Sequence, residues 1–149
     1  MDDGAFGSCA FTSAYLPKFA PTTISGSYPF WNATYLTNIV FSADVKALHP
    51  QFVYSGTPES GILVLDFPGN RPTTDISTWM TSEKKSQIVI RTPWQFSANW
   101  TSDTANFVPK EDVTDTPSDE IRAMKHILGQ YGGCWLKEIP PDPSVIFLH

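Results

Sequence analysis

From Tyr35 to Ala47 nearly every second residue is apolar or small. Tyr35, Thr37, Ile39, Phe41, Ala43, Val45 and Ala47 fall on one side, and Asn38, Ser42, Asp44 and Lys46 on the other, with Leu36, Val40 and Leu48 interrupting. A period of two predicts a long strand over 35–48 with one buried face. Pro50 ends it. Residues 51–54 read as a short strand and 55–61 as a hairpin loop. Residues 62–67 are apolar at nearly every position and stop at Pro68-Gly69, a favoured centre for a type II turn. They predict a central strand, with Asp66 on the Ile62/Val64 side. Residues 87–91 predict another strand with Ile88 and Ile90 inward, which Pro93 breaks or places at an edge. Beyond it, Trp94, Phe96, Ala98 and Trp100 alternate with Gln95, Ser97, Asn99 and Thr101, which predicts a strand over 94–101.

Helical spacing occurs twice. Ile76, Trp79 and Met80 follow Asp75 and predict one helical turn. Thr116-Pro117-Ser118-Asp119 has a capping residue, a proline and an acid in the order of a helix start. Ile121, Met124, Leu128 and Tyr131 then recur at i, i+3, i+7 and i+10, and Gly132-Gly133 supplies a stop. This predicts the main helix near 117–131. Two extended pieces close the chain, at 134–139 and 144–148. Residues 1–30, with Pro17, Pro21 and Pro29 at intervals, predict an extended arm. No internal repeat or domain boundary stands out, so 1–149 reads as one domain. One-sided alternation belongs to antiparallel sheets with one wet face. The expected fold is therefore mainly β, an antiparallel β-sandwich with one C-terminal helix.

Composition narrows the class. Charged residues make up 17% of the 149 positions, below the roughly 25% of an average domain, while apolar residues reach 41% and aromatics 13%. Fifteen Thr, 14 Ser and 13 Pro fill the difference. That excludes a coiled coil and argues against disorder. The net charge of −5 provides no basic footprint for nucleic acid. The longest apolar runs, 62–65 and 145–148, are too short to span a membrane. The start Met1-Asp2-Asp3-Gly4 lacks the positive and apolar regions of a secretory signal, so the chain reads as a processed or expressed piece, or as one not secreted by that route.

Candidate chemistry is sparse. Cys9 and Cys134 lie near opposite ends. Joined, they would close nearly the whole chain, worth about 4.7 kcal/mol for a loop of about 100 residues; the competing reading is two separate buried thiols. Asn32-Ala33-Thr34 and Asn99-Trp100-Thr101 fit the N-glycosylation pattern, which a chain of this composition meets about once by chance. Gly132-Gly133-Cys134-Trp135 resembles the surroundings of a cysteine nucleophile, with His49 or His126 as base and the order His49, Asp66, Cys134. Only 15 residues follow Cys134, too few to build a substrate pocket, so the reading is a buried cysteine and no enzyme. His49, His126 and His149 share no ligand spacing, so no metal site or cofactor is expected. The tryptophans are the candidate contact groups. Trp79, Trp94 and Trp100 are singled out for binding, against the alternative that alternation places them in the core.

Three stretches carry a family resemblance: Asn38-Ile39-Val40-Phe41-Ser42-Ala43-Asp44-Val45, then Gly61-Ile62-Leu63-Val64-Leu65-Asp66-Phe67-Pro68-Gly69, and Ile88-Val89-Ile90-Arg91-Thr92-Pro93-Trp94. Together with the Thr/Ser/Pro-rich, charge-poor composition, residues 34–101 resemble picorna-like virus capsid proteins. The resemblance implies a jelly-roll fold and a non-catalytic structural role in a virion. The chain is short for a full capsid jelly roll, and the 68–88 connection is short as well. A protruding or attachment domain therefore fits better than a shell subunit. Its partners would be copies of itself, neighbouring capsid subunits, a host receptor or a glycan. The alternative is an extracellular, secreted β-sandwich module that binds carbohydrate.

Overall fold

Ile39, Leu65, Ile90 and Leu136 stand side by side across four neighbouring strands, each at most 1% exposed. The computed structural model describes residues 13–15, 23–24, 36–48, 50–53 and 56–141. In chain order the strands are β1 (Ser13–Tyr15), β2 (Thr23–Ile24), β3 (Asn38–Val40), β4 (Ala47–Leu48), β5 (Leu63–Asp66), β6 (Ile88–Pro93), β7 (Phe107–Pro109), β8 (Ile127–Tyr131) and β9 (Cys134–Ile139). The short helices are α1 (Ile76–Trp79), α2 (Trp94–Thr101) and α3 (Asp119–Arg122). Seven strands form one sheet in the order β1-β3-β5-β6-β9-β8-β7, and β2 pairs with β4 separately.

The protein is sheet-rich, as expected, but the sheet is mixed. The four pairings from β1 to β9 are parallel, and only β9–β8 and β8–β7 are antiparallel. The expected antiparallel pairing is therefore confined to one end of the sheet. The continuous apolar runs at 62–65 and 88–90 are what a parallel strand buried on both faces requires. Residues 55–61 consequently do not close a hairpin, because β5 lies between two parallel neighbours.

A regular step underlies the parallel part. Ser13 pairs with Asn38, Asn38 with Val64 and Val64 with Val89, at intervals of 25, 26 and 25 residues. The return segments keep similar intervals: Thr23 pairs with Ala47, and Val53 bridges Met80 in parallel. Each circuit of about 25 residues thus adds one strand to the sheet and one segment behind it. No single residue recurs strictly at this interval, so the coil escapes a search for identical repeats. Its inward positions do correspond. Phe41 stacks on Phe67 with ring centroids 4.3 Å apart and planes 7° apart. Gly69 lies against the backbone of Ala43 one circuit earlier, where a Cβ would overlap the Ala43 carbonyl oxygen. Leu48, Phe52, Val53, Ile76, Trp79 and Met80 close the core from behind.

Three expected elements change. The alternation over 35–48 breaks at a turn, where the Asp44 N–H donates to Ser42 Oγ at 3.2 Å and the Val45 N–H to the Ser42 carbonyl at 3.2 Å. Residues 94–101 are helix, not strand. Trp94, Gln95, Ala98 and Asn99 are exposed, whereas Trp100 is buried and Phe96, Ser97 and Thr101 are partly buried, a four-residue rhythm. Phe96 and Trp100 are four apart, a spacing that belongs to both periods. Finally, the helix expected near 117–131 is limited to α3. Ser118, not Thr116, caps it by accepting from the Ile121 N–H at 3.4 Å. His126 at φ 63° and Gly129 at φ 156° interrupt helical backbone, and β8 follows. Gly132 and Gly133, at φ 58° and 91°, form a tight turn pairing Tyr131 with Cys134, the two-residue hairpin that glycines favour. Of the expected arm, residues 13–15 and 23–24 are described, and both pair with this chain's own strands.

Candidate functional site

Strand register places chemistry on the sheet face away from the main core. Across β3, β5, β6 and β9 it aligns Val40, Asp66, Arg91 and Lys137 in one row. Two residues back along the strands, Asn38, Val64, Val89 and Trp135 form a second row. The second row is roofed by α3 and its flanks: Val89, Ile121 and Trp135 are buried together, with Val113, Met124 and Ile127 packed against them. Trp135 Nε1 donates to the Ser86 carbonyl at 3.1 Å, which fixes the indole.

Ile127 of β8 flanks Lys137 at one end of the first row, but the roof does not reach Asp66 and Arg91. There a cleft of about 230 Å³ opens, lined by Val40, Asp66, Phe67, Pro68, Arg91, Pro93 and Ile139. Asp66 and Arg91 form its polar floor. Arg91 Nε donates to Asp66 Oδ1, and Nη2 donates to Oδ2 at 2.9 Å. This two-pronged pairing holds the guanidinium plane fixed. The Asp66 side chain is 11% exposed and that of Arg91 42%. Lys137 is the cross-strand neighbour of Arg91. Burial, and then the adjacent Arg91 charge, hold its ammonium below the ordinary lysine range. Among the described residues Lys137 has no carboxylate partner. Ile139 and Trp94, at the strand's end and just beyond Pro93, are among the large apolar residues exposed to solvent.

A second polar cluster has a structural role. Asp103 accepts from Asn106 Nδ2 at 3.0 Å and Tyr131 Oη at 2.5 Å. These bonds, with Arg71 nearby, hold its carboxyl below the usual range. Burial, and then the hydrogen bond to Asp103, push the Tyr131 phenol upward. Arg71 ties this cluster to the end of α2, its backbone N–H donating to Asn99 Oδ1 at 2.9 Å and its Nε to the Asn99 carbonyl at 2.8 Å.

The candidates from sequence separate accordingly. Trp79 and Trp100 are core residues, 1% and 0% exposed, and Trp100 packs against Phe67 and Tyr131. Trp94 is 49% exposed and remains a contact candidate. Cys134 is a free thiol, fully buried, with burial pushing its pKa up to about 12. Asp66 and Cys134 lie on opposite sides of the sheet, so the order His49, Asp66, Cys134 does not describe a catalytic group; His49 itself lies outside the described residues. Asn99 is exposed, with its Oδ1 engaged by Arg71. Cys9, Asn32, Trp31 and His149 also lie outside the described residues. Among the described residues, no group of three His, Cys, Asp or Glu could hold a metal ion, and no helix is long and apolar enough to cross a membrane. Sequence reasoning passed over Arg91 and Lys137. The signal for Arg91 was its position, 25 residues after Asp66, one circuit along the coil. Comparisons with family models, characterised proteins and solved structures found no match.

Proposed function

We propose that this chain is a non-catalytic binding module that makes protein contacts through the uncovered end of its sheet. The observation that carries the reading is the cleft lined by Asp66 and Arg91, whose rim includes exposed Ile139 and whose neighbour Trp94 stands in solvent. Contact surfaces are enriched in aromatic residues and Arg, and Trp94 and Arg91 both stand at this end of the sheet. The coil supports the same reading. Leu36-x-x-Ile39-x-Phe41-x-x-Asp44 and Ile62-x-x-Leu65-x-Phe67-x-x-Asn70 follow the spacing of leucine-rich solenoids, which use the strand-bearing face to bind partners. A role in a virus particle, as capsid, protruding or attachment protein, is the narrower form of the proposal. It draws on the sequence resemblance and on the contact-making role, and not on the fold, since the sheet is mixed where a jelly roll is antiparallel.

The test is a set of surface variants, Trp94→Ser, Ile139→Ser and both together, measured by light scattering across a concentration series. Loss of self-association without a change in melting temperature supports contact between copies. A second reading, carbohydrate binding, is favoured by the exposed Trp94 ring. A glycan array distinguishes it, because sugar stacking would depend on Trp94 and be indifferent to Ile139. Hydrolytic turnover abolished by Cys134→Ser, in a variant that still folds, would replace binding with catalysis.

A further inference from the structure

Resting on that reading, we infer that the cleft recognises an acidic side chain flanked by apolar residues in a partner peptide, with the carboxylate held between Arg91 and Lys137. The charge arrangement leads there. The row holds two cations and one carboxylate, on a chain whose net charge is −5. Asp66 occupies Arg91 Nε and one proton of Nη2, which leaves Nη1 unengaged among the described residues. Lys137 stands directly across from Arg91 on the same face, at the flank of the cleft, on a neighbouring strand about 4.8 Å away. Arg91 lines the cleft and Lys137 is close enough to feel its charge, so a carboxylate seated on Arg91 would also be within the field of Lys137, while the pairing with Asp66 holds the guanidinium in place. Placing a carboxylate there would relieve the repulsion between the two cations.

Size and lining define the rest of the ligand. About 230 Å³ is smaller than the roughly 300–1,000 Å³ of typical small-molecule sites. It suits one or two side chains better than a nucleotide or a cofactor. Val40, Pro68, Pro93 and Ile139 form apolar walls beside the charged floor. These walls match the apolar neighbours of an acidic residue in an extended peptide. A bare inorganic anion would leave them unused.

The probe is a blocked pentapeptide, acetyl-Ala-Leu-Glu-Leu-Ala-amide, titrated into the full chain and followed by ¹H–¹⁵N NMR beside its Leu-Gln-Leu counterpart. The Arg91 Nε–H signal and the backbone amides of Arg91, Lys137 and Ile139 should move. The Glu peptide should bind at least about tenfold more tightly than the Gln peptide, the effect of one charge-assisted hydrogen bond. Lys137→Gln leaves the Asp66–Arg91 pair intact. It should weaken the Glu peptide several-fold, weaken the Gln peptide far less, and cause no fall in melting temperature, since it removes the repulsion with Arg91. Equal affinity for the two peptides, or equal weakening of both by Lys137→Gln, would overturn carboxylate recognition and leave the contact reading standing. No movement of these signals with either peptide would remove the face as a contact surface, and both readings with it.

Discussion

Replacing Gly69 with alanine should test the stacking of successive circuits more directly than any core truncation. Gly69 is buried after β5, in the turn that begins at Pro68. A Cβ built there overlaps the carbonyl oxygen of Ala43 and lies 3.0 Å from its carbon and 3.1 Å from its Cα. All three are backbone atoms, so no rotamer change can make room. Either the circuits separate locally or the turn is rebuilt. Strands of a sheet are held about 4.8 Å apart, and the Phe41–Phe67 stack beside this point resists a shift. Overpacking of this kind costs typically 1–3 kcal/mol, and the rigidity of the backbone on both sides argues for about 2–3 kcal/mol. For a domain of this size, about 2–4 °C per kcal/mol converts that to a fall of roughly 4–12 °C. Urea denaturation would give the free energy and differential scanning calorimetry the midpoint. Asn70→Ala, exposed and adjacent, is the control and should stay within about 0.5 kcal/mol. Ala43→Gly should fail to rescue Gly69→Ala, because the clash is with the carbonyl and not the methyl group. A Gly69→Ala variant as stable as the parent, or one rescued by Ala43→Gly, would refute the close approach of the two circuits.

Other perturbations address the remaining assignments. Trp100→Ala should cost about 3–5 kcal/mol, as loss of a large buried aromatic does, whereas Trp94→Ala should cost under about 0.5 kcal/mol; paired denaturation curves would show the contrast, and equal costs would return 94–101 to an alternating strand. The native Cys134 thiol should resist alkylation at pH 8 and react on unfolding. Its pKa is raised to about 12 in the fold from an ordinary value of 9.0. Between these values the unfolded chain has lost a proton that the folded chain keeps, so stability should fall as pH rises above 9, by about 1.4 kcal/mol per pH unit from this group. Cys134→Ala should flatten that part of the pH profile. Asp103 has the opposite sign: its lowered pKa adds stability above its ordinary value of 3.8, lost as pH falls through the folded value, and Asp103→Asn should reduce the acid-side slope of a melting-temperature profile.

The parts of this fold that were legible in the sequence are those whose pattern admits one period. The runs at 62–65 and 88–90 are too continuously apolar for a half-exposed helix, and strands β5 and β6 are built on them. Asp75 followed by Ile76 and Trp79 gives a capped turn, with Asp75 accepting from the Ser77 N–H at 2.8 Å. The failures have equally local causes. Phe96 and Trp100 satisfy two periods at once. Ile121, Met124, Leu128 and Tyr131 match a helical stripe by count, yet His126 and Gly129 between them take positive φ. A Gly-Gly pair serves both as a helix stop and as a hairpin turn, and only its partner strand decides. Parallel pairing was obscured because Val40, Asp66 and Arg91, at successive circuits, share a position without sharing a side chain. Thr92, just after Arg91, is fully buried with Oγ1 unsatisfied, and Trp100 packs on Phe67 from α2. Of the candidate site, Asp66 was legible as a carboxylate inside an apolar strand. Arg91 required the circuit length, and Lys137 lies 46 residues further on, beyond the excursion that breaks the step.

That excursion, between β6 and β9, explains why the cleft lies where it does. A parallel coil leaves backbone donors and acceptors open along each terminal strand, a hazard that repeat proteins meet with atypical end units. Here the chain leaves β6 through α2, runs β7 and β8 along the far side, and returns through Gly132-Gly133 into β9. The antiparallel pairs continue the hydrogen bonding beyond the last parallel strand. On the way, the segment from Lys110 to Ile127 crosses the sheet face and buries Val89 and Trp135 beneath Ile121. Its reach ends over the second row, except that Ile127 flanks Lys137 in the first. Asp66, Arg91 and Lys137, one row further along the strands, therefore receive the low-dielectric surroundings of a partly covered face without being sealed from solvent. An ion pair placed one row earlier would be buried under α3 and unavailable to any partner. Without the roof, the same charges would be screened by water and worth little in recognition. The capping excursion and the proposed contact site are thus consequences of one insertion into the coil.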